Sequence, residues 1–325
     1  MSSFTLYEGE SWNEKYRPQF FNEIMYQQKI ISTIKSNIEC LPHLLFYGPS
    51  GVGKTTLISI LAKQIYGDSI KQNVLILNAS QDRGIDIVRN KIKSFAQKST
   101  YNNHPFKLII LDEADYLTQD AQSALRRIME KYSKITRFCF ICNYATKIIK
   151  PISSRCSLFK FKPIRRDFVI ERLKHIAENE SMENYKDYIE TISDVSNGDL
   201  RQGIILLETL NTLSKNKVIT KKIIYELVGI VPKNIIKELY HISKKSKFDE
   251  INKSCKNILN DGYTISDIFR QLCIQIIDDD ELTENEKSQL LVKLSNFDKK
   301  RALDGDDFIC LISFCCEIYK LYKNK

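Results

Sequence analysis

Gly48-Pro-Ser-Gly-Val-Gly-Lys-Thr55 decides the fold. An apolar run, His43–Tyr47, leads into it, and a helical pattern, Lys54–Tyr66, leads out. That strand–loop–helix setting is what the G-x-x-x-x-G-K-[ST] spacing requires of a phosphate-binding loop. Glycines at 48, 51 and 53 let the backbone turn tightly, so that successive N–H groups surround an anion. The positive end of the following helix points at the same anion. Lys54 is expected to reach the β- and γ-phosphates, and the Thr55 hydroxyl to help hold Mg²⁺. Pro49, Ser50, Val52 and Thr56 complete the expected cradle.

The second half of such a site follows 58 residues after Lys54. Leu108-Ile-Ile-Leu-Asp112-Glu113 is an apolar strand ending in two carboxylates, which are costly at a buried edge unless a cation or donors satisfy them. Asp112 fits a Mg²⁺ partner. Glu113 fits the base that polarises an attacking water. A hydrolysable nucleoside triphosphate is therefore the expected ligand.

Around these motifs, short apolar runs alternate with helical patterns, as in a parallel α/β sheet with helices on its faces. Strands are expected at His43–Tyr47, Val74–Leu77, Lys107–Leu111, Arg137–Cys142 and Ser157–Phe161. Helices are expected at Lys54–Tyr66, Ile85–Gln97 and Gln119–Tyr132. After Pro163 the strand signals stop and apolar residues recur at three and four. Gly229-Ile-Val-Pro-Lys233 reads as a break. The expected organisation is an α/β nucleotide-binding domain over 1–163, a small helical domain over 164–231 and an all-helical C-terminal domain over 232–325.

The 325 residues are 43% hydrophobic and 27% charged, an ordinary globular composition. No stretch nears 18 consecutive apolar residues, and the start lacks a basic run followed by an apolar one. Neither a membrane span nor secretion is expected. Nine cysteines without regular spacing then read as reduced thiols. The net charge of +9 is uneven. Residues 1–163 hold 23 Lys/Arg against 13 Asp/Glu, and residues 164–325 hold 26 against 27. A basic first half suggests a polyanionic partner for that half.

Asp112-Glu-Ala-Asp115 also occurs in DEAD-box helicases, but those place more sequence between the two motifs and carry a Ser-Ala-Thr motif that is absent here. The chain instead resembles the AAA+ clamp loaders, specifically the small subunits of replication factor C. The matching segments are Trp12–Pro18, Gly48–Thr56, Asn78–Asn90, Leu108–Asp115, Ala124–Arg127, Phe138–Asn143, Ser154–Cys156 and Gly198–Arg201. Two residues depart from the family's usual pattern, Ser50 in place of Pro and Val52 in place of Thr. Neither removes a phosphate-binding group.

The resemblance implies further roles. Tyr16, Arg17 and Pro18 match the segment against the adenine. Asn143 matches the sensor that bonds the γ-phosphate or the attacking water, although a strand-end Asn can also cap a turn. Arg201 matches a second sensor reaching the γ-phosphate from the 164–231 domain, which the resemblance makes a lid; pairing with Asp199 is the alternative. Arg155, in Ser-Arg-Cys, matches an arginine finger acting on the nucleotide of a neighbouring subunit. Arg83, Arg89 and Lys147 match residues that track a DNA strand, and Lys93 lies four residues from Arg89 on one helix face. Such contacts position DNA without reading its sequence. Phe95 and Lys98 match the region that touches the sliding clamp. The 232–325 region becomes an oligomerising collar. The partners implied are other clamp-loader subunits in a heteropentamer, a PCNA-like sliding clamp and primer–template DNA, in the nucleus or the equivalent replication compartment. A subunit that binds ATP but hydrolyses it weakly, and a hexameric AAA+ branch-migration motor, remain as alternatives.

Cys139-x-x-Cys142 has zinc-ligand spacing, but no second pair follows. Inside a strand the two would point to opposite faces, so core packing is expected of them.

Overall fold

The computed structural model describes residues 11–24, 26–81, 84, 86, 88–102, 104–214, 219–245 and 247–323. The chain divides into two compact units, Met1–Lys215 and Asn216–Lys325.

The first unit is built on a five-stranded sheet among the described residues, in the order β2-β3-β4-β1-β5. Its strands are β1 (His43–Tyr47), β2 (Val74–Asn78), β3 (Lys107–Asp112), β4 (Thr136–Cys142) and β5 (Cys156–Lys160). Every pairing is parallel, with Leu44 level with Cys139 and Tyr47 level with both Cys142 and Lys160. Parallel order requires helical crossovers that cover both faces. Helices of eight residues or more in this unit are α1 (Gln28–Lys35), α2 (Lys54–Tyr66), α3 (Gln119–Tyr132), α4 (Arg166–Asn179), α5 (Lys186–Ser196) and α6 (Leu200–Ser214). β3 is buried from Lys107 to Leu111, whereas β5 alternates as an edge strand does. The core between sheet and α3 contains Ile109, Leu125, Met129, Phe138 and Phe140.

Because β1 lies between β4 and β5, the loops leaving β1 and β4 are neighbours at the C-terminal edge of the sheet. In open α/β sheets that edge is where ligands bind. Cys139 and Cys142 are both buried in β4, and burial pushes the Cys142 thiol up to about 12, which suits packing. The helix expected over Ile85–Gln97 contains a π-helical turn at Val88–Ile92, and is α-helical over Lys93–Gln97. A stretch of i→i+5 winding leaves no signal in a 3.6-residue pattern. α4, α5 and α6 pack on one another, and Leu173, Ile176, Ile192 and Leu207 on them are buried.

The second unit contains α7 (Lys221–Val228), α8 (Lys233–Lys245), α9 (Phe248–Asn260), α10 (Ile265–Ile277), α11 (Glu284–Ala302) and α12 (Asp307–Lys323). α7 stops at Gly229, whose φ of 72° is the left-handed conformation that glycine adopts without cost. Leu239, Leu272, Leu311 and Phe314 form its core. At one side Asp279 accepts hydrogen bonds from Tyr240 and Tyr322, 2.7 Å each, and an ion pair from Lys244 at 2.5 Å. Burial alone would raise its pKa; these donors hold the Asp279 carboxyl well below the ordinary range. No helix among the described residues is long and apolar enough to cross a membrane.

Candidate nucleotide site

The phosphate loop leaves β1 at Gly48 with φ 146°. A Cβ there would stand 2.3 Å from the carbonyl oxygen of Phe161, so only glycine lets β1 and the end of β5 run this close. Gly53 turns the chain into α2 with φ 85°. Lys54, the first residue of α2, is only 8% exposed. Its ammonium donates to the carbonyls of Gly48 (2.7 Å) and Pro49 (2.6 Å) and to Asn143 Oδ1 (3.2 Å). Burial pulls the Lys54 pKa down, and the Asp112, Asp115 and Asp199 carboxylates oppose that shift. Lys54 and Asn143, 89 residues apart, are thus in direct contact.

Asp112, at the end of β3, accepts the Thr55 hydroxyl on Oδ2 (2.9 Å) and the Glu113 N–H on Oδ1 (2.9 Å). These hydroxyl and carboxylate oxygens are hard donors, the chemistry that Mg²⁺ takes. Glu113 has φ 52°. A left-handed conformation costs a non-glycine residue on the order of 1–2 kcal/mol and typically marks function. Here it turns an exposed carboxylate out of the strand. Asn143 donates its backbone N–H to Asp115 Oδ2 (3.4 Å), while Asp115 Oδ1 is buried without a hydrogen-bond partner.

Tyr16, Arg17 and Pro18 line one cavity of about 270 Å³ with Gly51–Thr56, Asp112 and Arg201. The Tyr16 hydroxyl donates to Glu180 beyond α4 (2.7 Å), and Arg172 of α4 donates to the Tyr16 carbonyl (2.7 Å). The N-terminal arm is thereby fastened to the helices after the sheet. On the other side of the loop Gly48, Pro49, Ser50 and Asn143 border a second cleft.

Asp199 caps α6 by accepting the Gln202 N–H (3.0 Å) and also accepts the Ser50 hydroxyl (2.6 Å). So engaged, it is not paired with Arg201, which forms no ion pair among the described residues and borders the cavity from the first turn of α6. Arg172 and Glu180 lie outside the motifs, and although Ser50 and Asp199 fall within two of them, no local pattern announces partners more than 140 residues away.

Arg155 lies elsewhere. It sits just before β5, level with the start of β1, and pairs with Glu130 of α3 at 2.7 Å. Its guanidinium also donates to the Pro151 carbonyl (2.7 Å). Of the residues matched to DNA contacts, Arg83 and the side chain of Arg89 lie outside the described residues. Lys93 borders a groove with Arg127 and Lys131. Lys147 closes the 3-10 turn after β4. Phe95 and Lys98 are held by the buried Lys107, whose ammonium donates to both their carbonyls (2.8 and 3.4 Å).

A P-loop after β1, a carboxylate pair at the end of β3, an asparagine just after β4 and an arginine in the first turn of α6 define a AAA+ ATPase. Residues 44–164 match the family described as ATPase family associated with various cellular activities, and residues 231–317 match the replication factor C C-terminal domain. The chain is 40% identical to replication factor C subunit 2 of Oryza sativa, over 95% of this chain and 94% of that protein. It is also 40% identical to the replication factor C small subunit of Sulfolobus acidocaldarius, over 94% and 95%. It belongs to the replication factor C small-subunit family, and membership carries that family's clamp-loading role in DNA replication. A solved structure of Thermotoga maritima RuvB shares the fold, with a TM-score of 0.55 over 80% of this chain and 91% of that one. At 18% identity that likeness extends to the fold alone.

Proposed function

We propose that the chain hydrolyses ATP as one subunit of a heteropentameric clamp loader, which opens a PCNA-like sliding clamp and places it on primer–template DNA. Its place of work is the nucleus or the equivalent replication compartment. The observation that carries this reading is the split of the ATPase parts. Lys54, Thr55, Asp112, Glu113 and Asn143 converge on one loop, whereas Arg155 stands at the opposite end of β1. A finger so placed serves a neighbour.

In this reading Tyr16, Arg17 and Pro18 hold the adenine, and the loop from Gly48 to Thr56 with Lys54 holds the phosphates. Thr55 and Asp112 would hold Mg²⁺, which supplies charge neutralisation of the phosphates. Glu113 takes the proton of the attacking water while Asn143 and Arg201 contact the γ-phosphate. Arg83, Arg89, Lys93 and Lys147 take DNA phosphates. Functionally the chain divides into 1–163, a lid over 164–231 and a collar over 232–325, although by packing α7 groups with the second unit.

The test is clamp loading by the reconstituted complex with Glu113→Gln in this subunit. ATP binding by the subunit should persist while its turnover and the coupled loading fall. Equal turnover and loading by variant and wild type would reject the assignment. Intact Asp112 and Glu113 favour hydrolysis over a purely structural role. Native mass separates a pentamer from the hexamer of a branch-migration motor.

A further inference from the structure

Lys147 stands between two tyrosine rings. Its ammonium is 5.7 Å from the centroid of Tyr116 and 5.7 Å from that of Tyr144. Both rings are largely in water, 50% and 63% exposed. An aromatic side chain ordinarily contributes most by being buried. Tyr116 ends the turn after β3 and Tyr144 follows β4, adjacent strands of the sheet, so the two rings come from neighbouring loops.

The platform is braced from below. Gln122 of α3 is 1% exposed. Its amide donates to the carbonyls of Lys147 (3.1 Å) and Leu117 (3.2 Å), and its oxygen accepts the Ile149 N–H (2.8 Å). A buried amide that binds the segments following both tyrosines holds their spacing. Lys147 forms no ion pair among the described residues, so its charge remains available to an anion from outside.

We propose that Tyr116, Lys147 and Tyr144 form a subsite for an unpaired nucleotide of the DNA strand, a ring stacking on its base while the ammonium takes its phosphate. This deepens, and rests on, the reading of Lys147 as a DNA contact. Phosphate tracking needs only cations; exposed ring faces beside a cation fit a strand whose bases are unstacked. An acidic peptide would meet the charge without using the rings. A duplex keeps its base faces covered.

The two contributions separate by their salt dependence, because stacking releases no counterions. The full chain is titrated with a dye-labelled oligo(dT) and with a duplex of equal length, by fluorescence anisotropy at several salt concentrations. Tyr144→Ala should weaken oligo(dT) binding at least about five-fold at every salt concentration without changing the slope, and Tyr144→Phe should bind as wild type does. Tyr116→Ala should act in the same direction. Lys147→Ala should reduce the single-strand slope by about 0.7. Duplex affinity should ignore both tyrosine variants. If the alanine variants bind oligo(dT) like wild type while Lys147→Ala lowers the slope, the subsite is refuted and the phosphate contact stands. If Lys147→Ala leaves the slope unchanged for both ligands, the DNA reading of Lys147 fails, and the subsite with it. Equal competition by polyglutamate would also refute a nucleotide subsite.

Discussion

Removing the Arg155 guanidinium should silence a neighbouring subunit while sparing this one. The strand register shows why. Cys156 is level with His43 and Lys160 with Tyr47, so Arg155 precedes one end of the β1–β5 pair and Gly48 follows the other. Five residues of strand lie between the two levels, and six steps of about 3.3 Å separate them by roughly 20 Å. An extended arginine spans roughly 7 Å by ordinary bond lengths, so it cannot reach its own phosphates. What remains is long-range Coulomb attraction, about 0.2 kcal/mol per unit charge at roughly 20 Å in water and about 0.8 kcal/mol at an effective dielectric of 20. With a Debye length of about 8 Å, Arg155→Ala should therefore change nucleotide affinity at its own site by less than about two-fold. A finger supplied to a neighbour contributes on the order of 10³–10⁵ in rate in well-studied phosphoryl transfers. Releasing it from Glu130 is a small cost, since an exposed pair of this kind is worth about 0.2–1 kcal/mol. The assay is a reconstituted complex carrying Arg155→Ala in this subunit or, separately, Lys54→Ala. Phosphate release and fluorescent-nucleotide binding are then followed site by site. Loss of turnover confined to this subunit's own site in the Arg155 variant would refute the reasoning.

Lys54→Ala should weaken nucleotide binding itself, seen by direct titration, because three acceptors of the loop and the phosphates lose their common cation. Arg89→Ala should weaken DNA binding alike for unrelated sequences and lower the salt slope by about one; an effect limited to one sequence would count against backbone contact. His43 is neutral and accepts the Phe138 N–H at 3.1 Å; burial, then the nearby Arg137, depress its pKa to about 4. Between pH 6.5 and 4 the unfolded chain takes up a proton that the folded chain refuses, so stability is complete above 6.5 and declines as pH falls. At pH 5 the loss should be about 2 kcal/mol, measured by denaturant unfolding at pH 7 and pH 5, and His43→Gln should flatten it.

Local order was readable where punctuation is strong. His43–Tyr47, Lys54–Tyr66 and Gln119–Tyr132 are both the expected and the observed bounds, because Pro42, Gly48, Gly53, Gly67 and Thr118 delimit them. β5 slips by one residue, from the expected Ser157–Phe161 to Cys156–Lys160, since an edge strand is only half specified by burial. Residue type and spacing likewise point to the loop and to Asp112 and Glu113 as two parts of one site, and Thr55 does meet Asp112. Other contacts that assemble the site were not legible. Asn143 on Lys54, Asp199 on Ser50 and Glu180 on Tyr16 depend on strand order and helix docking, which periodicity does not encode.

Three side-chain donors at the phosphate loop are already matched internally. Lys54 has the Gly48 and Pro49 carbonyls, Thr55 has Asp112, and Ser50 has Asp199. At these three side chains an arriving triphosphate swaps one acceptor for another, and only the difference between the two sets of bonds appears as affinity. Departure of product is the same swap in reverse, with the loop's own carbonyls as the leaving phosphate's replacement. Such symmetry favours rapid turnover of occupants over tight holding, a property suited to a subunit that must be reset before every new round of work.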